Sequence, residues 1–401
     1  MLILLLQLVL PVQAQDLPGH GGPVRALAML PDGTLVSAGF DAAVIWWDPA
    51  AGRAVHVARW HDAAVNAIAA LPDGGLASAG EDGRIALWPA GGATEPRRVL
   101  QAEGAPVAAL AAAPDGTLAA GGWDGGIRLF AADGTGSLLG MHDGPVGALA
   151  WRGDGVLLSA GQDGLVRAWT SDGPVTLARR GLPRTALAAL AGDGFADGGV
   201  DGRVHLGPLT LAIGDRPVVA LATAPGVLVA ATAGGAVSVW SLPEGRLLRR
   251  LDGPGLPVWS LAFAPDTATL WTGGHDRSIR RWRVADGAAL GSMGPEHLAT
   301  VAPDAEAFRA CAACHAVTAE AAPLAGPSLH HLFGRRMGSL PGYAFSPRLA
   351  RGDVVWSPAT VAQLFTEGPD VKLPGTRMPV QRMQDPQDLA ALLRYLEQAT
   401  R

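Results

Sequence analysis

An aspartate-centred unit recurs along this chain with a period near 40 residues, and that recurrence narrows the possible folds sharply. Anchors stand at Asp41, Asp82, Asp124, Asp163, Asp201 and Asp276, with a degenerate Gly234 between the last two. The steps are 41, 42, 39, 38, 33 and 42 residues. Six positions after each anchor come Trp47, Trp88, Phe130, Trp169, Gly207, Trp240 and Trp282. The fullest unit reads Gly19-His20, Pro31-Asp32-Gly33, Ser37-Ala38-Gly39-Phe40-Asp41 and Val44-Ile45-Trp46-Trp47-Asp48. A unit this short cannot bury an apolar face alone, so the copies must stack on one another.

The period and pattern resemble WD40 repeats, in which each unit is one four-stranded propeller blade. Seven anchors then imply a seven-bladed β-propeller, assigned to residues 15–293. Three units carry a full polar set: His20/Ser37/Asp41/Trp47, His61/Ser78/Asp82/Trp88 and His142/Ser159/Asp163/Trp169. In the WD40 family such residues form a hydrogen-bonded chain across a blade. Buried polar groups are costly unless paired, so the set is expected to persist or decay together. The third unit has decayed jointly to Glu103, Ala120 and Phe130, and the fifth and sixth are weaker still. One His-Ser-Asp set resembles a hydrolase triad, but recurrence at fixed spacing points to a structural network. Residues 288–293 can supply the last outer strand, so the ring is expected to close without an N-terminal strand in the final blade.

The only two cysteines of the chain lie in Cys311-Ala312-Ala313-Cys314-His315. This spacing puts two thiols one helical turn apart, each able to form a thioether to a haem vinyl group. The histidine that follows then lies under the iron as an axial ligand. A structural zinc needs four ligands, and no second Cys or His pair stands at zinc spacing. A thioredoxin-like dithiol should open a helix inside a βαβ unit, which this region does not resemble. Downstream, Pro374-Gly375-Thr376-Arg377-Met378-Pro379 offers a thioether on a Pro/Gly-rich loop, the kind of second axial ligand that favours Fe(II).

From about residue 300 onward the chain resembles a class I cytochrome c. Phe308 precedes the CAACH run, and Gly326-Pro327-Ser328-Leu329-His330 with Leu332-Phe333-Gly334-Arg335 resembles the family's GPNLxxLFGR segment. Pro341-Gly342-Tyr343-Ala344-Phe345, Trp356, the PGTRM loop and a closing helix from Leu389 to Leu396 follow in the family's order. The resemblance implies one covalently bound haem c held by Cys311 and Cys314, with His315 and Met378 on the iron. It implies that the Pro327 carbonyl fixes the His315 ring and that Arg335 and Trp356 face the haem propionates. Phe345 stands where the family usually has a tyrosine, so that hydroxyl contact is missing. Met337, Met383, His330 and His331 compete as iron ligands on residue type alone, but only Met378 sits in the PGTRM loop.

These readings give a multidomain chain, an all-β seven-bladed propeller followed by a small all-α cytochrome c domain at 305–401, joined by a linker at 294–304. Haem c is attached outside the cytoplasm. Leu2 to Leu10 form an apolar run before a Val12-Gln13-Ala14 cleavage pattern, so 1–14 reads as a signal peptide and the product as periplasmic. The run is too short to span a bilayer, which takes about 20 apolar residues. It lacks a Lys/Arg-rich start. The short linker predicts that the haem domain sits against or beside the propeller.

Charge divides unevenly. Residues 297–401 carry ten basic and nine acidic side chains, and the remainder carries 21 and 27. Arg335, Arg336, Arg348, Arg351, Lys372, Arg377 and Arg382 outnumber Asp353, Glu367 and Asp370, a basic rim suited to redox partner proteins with an acidic docking surface, or to the acidic N-terminal domain itself. An acidic propeller argues against nucleic-acid binding. The leading expectation is therefore an electron-transfer protein rather than an enzyme, with the propeller as a partner-binding platform. Two alternatives stand beside it: a redox enzyme whose propeller holds a second cofactor or substrate, and a redox sensor or assembly scaffold.

Overall fold

The structure, a computed structural model, describes residues 16–17, 19–291, 307–312, 314–319, 321, 324–343, 345–376, 378, 381–383 and 385–401. The expected signal peptide and linker lie outside these residues.

The repeats form seven antiparallel sheets, each with its strands in chain order. Six have four strands, and the last has three: Val258–Phe263, Thr269–Gly274 and Ile279–Arg283. The first strand of the first blade, Val24–Met29, neighbours both Val65–Ala70 of the second and Val258–Phe263 of the seventh, so the ring is closed. Turn chemistry sets the strand spacing. Gly33, Gly74, Gly116 and Gly155 adopt φ of 81–88°, and the preceding aspartates accept from the backbone two residues on, as in Thr34 N to Asp32 Oδ1 at 2.9 Å. Between blades the core is apolar, with Trp46 meeting Trp88 edge-on at 5.4 Å.

The three full polar sets are hydrogen-bonded as the spacing implies. His20 Nδ1 lies 3.0 Å from Asp41, its Nε2 lies 2.7 Å from Ser37 Oγ, and Trp47 Nε1 donates to the same hydroxyl at 2.7 Å. The His61, Ser78, Asp82, Trp88 set and the His142, Ser159, Asp163, Trp169 set repeat this at 2.7–2.9 Å. Each serine hydroxyl is engaged by an indole and an imidazole and is fully buried, which commits it to packing rather than nucleophilic attack.

The decayed blades are rewired. In the third, Arg128 donates to Glu103 at 3.0 Å and to Asp124 at 2.7 Å. In the fifth, Arg180 takes the histidine position and Asp197 the serine position, and Asp197 lies 2.9 Å from both Arg180 and Arg184. In these two blades the set has gone jointly, and ion pairs stand in its place.

Among the described residues no N-terminal strand joins the final blade, but a single N-terminal bridge does, which the sequence did not foresee. Leu17 bridges Ile279, with its N–H donating at 3.0 Å and its carbonyl accepting at 3.4 Å. Asp16 lies 3.6 Å from Arg280. Ala288 and Leu290 pair with Arg283 and Arg281, at the other end of the same strand edge. Among the described residues the returning segment pairs with only half the edge, and Leu17 covers the groups at Ile279.

The C-terminal domain is helical. Its helices are α1 (Arg309–Ala312), α2 (Pro347–Ala350), α3 (Pro358–Glu367), α4 (Pro369–Lys372) and α5 (Pro386–Ala399). α3 starts with Pro358 behind a reciprocal cap, Thr360 N donating to Ser357 Oγ at 3.2 Å and Ser357 N to Thr360 Oγ1 at 2.8 Å. It ends at Gly368, whose φ of 100° turns the chain. α5 is capped by Asp385 and buries Leu392 and Leu396, one turn apart. Phe308 stacks on Tyr395 at 4.9 Å, fastening the start of the domain to its last helix.

Candidate functional site

The CAACH run closes a turn at the end of α1. Cys314 N and His315 N both donate to the Cys311 carbonyl, at 3.0 and 2.9 Å. Both thiols are buried, and burial pushes Cys311 up to about 11 and Cys314 to about 12. They are held as neutral thiols beside an apolar cavity.

His315 Nδ1 lies 2.8 Å from the Pro327 carbonyl oxygen. A carbonyl only accepts, so Nδ1 donates and Nε2 keeps its lone pair. Burial lowers the His315 pKa, against the Pro327 bond and with the charges of Arg59 and Arg335. Gly326 holds this arrangement. Its N–H donates to the Cys314 carbonyl at 2.7 Å, and a Cβ there would lie 2.5 Å from His315 Cε1. Only glycine allows the chain this close to the ring.

The cavity is about 690 Å³, within the range of cofactor sites. Both cysteines, His315, Pro327, Arg335, Trp356 and Met378 all line it. Met378 N donates to Thr376 Oγ1 at 3.1 Å, which fixes the loop that carries the thioether. Leu332, Val361, Leu364, Phe365, Leu392 and Leu396 supply apolar wall. Met337 and Met383 pack into the domain core instead of lining the cavity. His330 and His331 pair with each other at 3.9 Å between ring centroids, also outside its lining.

Arg335 donates to the His330 carbonyl at 3.0 Å and the Ser328 carbonyl at 2.7 Å, so it clamps the loop as well as facing the cavity. Phe345 is in the wall, and the neighbouring Tyr343 hydroxyl donates to the Ala325 carbonyl at 3.0 Å. The basic rim is partly cancelled. Arg348 pairs with Asp353 at 2.6 Å, Lys372 with Glu367 at 2.9 Å and Arg382 with Asp370 at 3.1 Å. Arg336 donates to the Gly352 carbonyl at 2.8 Å.

The cavity is not made by the helical domain alone. Gly21, Asp41, Arg59, Trp60, Asp62 and Glu95 of the first two blades also line it. Cys314 Sγ is 3.8 Å from the His20 carbonyl, and Ala325 N donates to the Gly19 carbonyl at 3.0 Å. Arg59 donates to the Ala325 carbonyl and lies over the Tyr343 ring at 4.3 Å. The sequence reading missed Gly21 and Arg59. The only signal was Trp60, which stands before His61 where the first unit has Gly19.

The donor set fits a covalent haem. Two thiols at Cys-x-x-Cys spacing, an oriented imidazole and a thioether share one largely apolar cavity.

Comparison with known proteins agrees. The Cytochrome c family matches residues 304–400, and the WD domain, G-beta repeat family matches 11–48, 52–89, 94–130, 136–170 and 245–283. Cytochrome c of Sesamum indicum is 38% identical over 90 residues, 22% of this chain and 80% of that one. Cytochrome c2 of Blastochloris viridis is 30% identical over 107 residues, 27% of this chain and 84% of that one. The WD40 β-propeller domain of Doa1 aligns with a TM-score of 0.61 at 20% identity, over 67% of this chain and 95% of that one, which supports the propeller fold. The stretch between the fourth and fifth repeat matches holds the fifth blade and most of the sixth. The chain thus belongs, through its C-terminal domain, to the cytochrome c family of electron-carrying haem proteins, and it bears that domain behind a seven-bladed WD40 propeller.

Proposed function

We propose that this chain is a periplasmic electron-transfer protein whose propeller serves as the platform for a redox partner. The observation that carries the reading is the His315–Pro327 hydrogen bond inside a cavity shared with both cysteines and Met378. Haem bound there supplies one-electron chemistry by cycling between Fe(II) and Fe(III). Cys311 and Cys314 anchor it. His315 offers Nε2, with its ring held by Pro327, and Met378 offers a thioether that favours the reduced state. The apolar wall excludes water, which disfavours the more highly charged oxidised centre.

The periplasmic address rests on the apolar run at the start of the sequence and on the site of haem attachment. An acidic partner suits the rim, because the exposed Arg336 directs its hydrogen bonds to the Gly352 carbonyl and so keeps its positive charge.

Met378→Ala tests the ligand set. The variant should retain haem through denaturing gel electrophoresis, show a lower reduction potential and bind carbon monoxide rapidly when reduced. An unchanged spectrum and potential would remove Met378 from the iron. The localisation is tested by fractionation: haem-stained protein confined to the cytoplasm would refute it.

A further inference from the structure

We propose that the propeller forms one wall of the haem site: the Gly19–Gly22 loop, with Arg59 and Trp60, closes the thioether edge at Cys314 and shields it from solvent and from small redox reagents. The inference rests on the haem reading above. It takes the propeller from a platform beside the cytochrome to a part of the cofactor's surroundings.

The two cysteines define which edge of the haem is meant, because the vinyl groups must lie at their sulfurs. Cys314 Sγ faces the propeller, 3.8 Å from the His20 carbonyl. A Cβ built on Gly21 would lie 3.2 Å from that sulfur and 3.6 Å from Asp41 Cβ, so even a methyl group is tight between the domains here and a large side chain would push them apart. Gly21 does not have a positive φ, so its backbone is open to other residues and the constraint is the neighbouring domain. Its N–H donates to Asp41 Oδ2 at 2.6 Å, in the polar set of the first blade. The wall is thereby fixed to a buried network, since Asp41 is held by His20 and His20 by Ser37.

A second contact ties the same edge from the other side. Arg59 leaves the first blade, donates to the Ala325 carbonyl and covers the Tyr343 ring, whose hydroxyl reaches that same carbonyl. Ala325 precedes Gly326 and Pro327, which position His315. A propeller side chain therefore supports the loop that orients the proximal ligand. Trp60 continues the wall, with Arg84 stacked on it at 4.2 Å.

The test uses the full-length haem protein and two small outer-sphere reagents of opposite charge, ferricyanide and tris(phenanthroline)cobalt(III). Gly21→Trp wedges the seam open. Oxidation of the reduced haem should quicken about tenfold with both reagents, equivalent to about 1.4 kcal/mol of activation free energy. The reduction potential should fall as water reaches the haem. Arg59→Ala should quicken both reactions by a smaller factor. A pure charge effect would instead slow the anionic reagent and speed the cationic one. Tryptophan fluorescence and the haem absorption bands report that each domain is folded. Should Gly21→Trp not accumulate, Arg59→Ala gives the same readout. Rates that stay at parental values with both reagents, or that move in opposite directions, in a variant keeping its haem would overturn the wall and leave the haem assignment standing. Loss of covalent haem from the parent protein would instead refute the haem reading.

Discussion

Gly326→Ala adds one methyl group where the structure has no room for it. The new Cβ would lie 2.5 Å from His315 Cε1, 2.7 Å from His315 Nδ1 and 2.8 Å from the Cys314 carbonyl oxygen. Two of these neighbours belong to a side chain whose rotation breaks the 2.8 Å bond to Pro327, and the third is backbone. Overpacking of this kind costs about 1–3 kcal/mol. The lost hydrogen bond adds about 1 kcal/mol. The haem domain should therefore be destabilised by about 2–4 kcal/mol. With a urea slope of about 2 kcal/mol per molar, its unfolding midpoint falls by about 1–2 M. The assay is urea unfolding followed at the haem absorbance, which reports this domain apart from the propeller. The reduction potential, measured alongside, should drop as the imidazole loses its partner. Gly342→Ala is the control, because φ there is 73° and nothing lies within 4 Å. It should cost about 1 kcal/mol from backbone strain and leave the potential alone. A midpoint and a potential that both match the parent in Gly326→Ala would refute the argument that this glycine positions the ligand.

Two further expectations concern the propeller. Ser78→Ala leaves His61 Nε2 and Trp88 Nε1 buried without their shared partner and should cost about 2–4 kcal/mol, read by urea unfolding on tryptophan fluorescence; a loss below about 0.5 kcal/mol would contradict the network. Acid should weaken the blades in two stages. Burial pushes the His142 imidazole below its ordinary value despite Asp163, so the unfolded chain takes up the proton first and stability is lost as pH falls below about 6.5. Burial also pushes the Asp82 carboxyl up, but hydrogen bonding and charge from His61, with Arg84, outweigh it and hold it below the carboxylate range. Its contribution is present above about pH 4 and is lost below that. Thermal midpoints that do not change between pH 7 and 3 would contradict both signs.

The sequence was legible where chemistry recurs or is compressed. Seven anchors with six aromatic partners specify blades, because each blade needs the same buried contacts. Cys311, Cys314 and His315 are informative because three reactive groups fall within five residues. Legibility failed where a function passed to other residue types. Arg180 and Asp197 occupy the histidine and serine positions of the fifth blade, and no spacing rule for His and Ser finds an ion pair. It failed again where one residue suffices, as at Leu17, whose single bridge has no strand pattern. The seam was out of reach for a different reason. Gly21 and Arg59 lie more than 250 positions before Cys314 and Ala325, and only the closed ring brings them together.

The buried sulfur of Cys314 sets an order of events for making the protein. A thioether forms by addition of the thiol to a vinyl group, and that reaction needs both partners within reach. In the finished fold the sulfur has the His20 carbonyl 3.8 Å away on the propeller side and lines the haem cavity on the other, with little room to move. Neutral, shielded thiols of this kind are poor nucleophiles. Attachment is therefore expected to be faster while the CAACH segment is still open, before the propeller closes this edge. Docking of the two domains is then expected to follow haem attachment, with the propeller closing the Cys314 edge last.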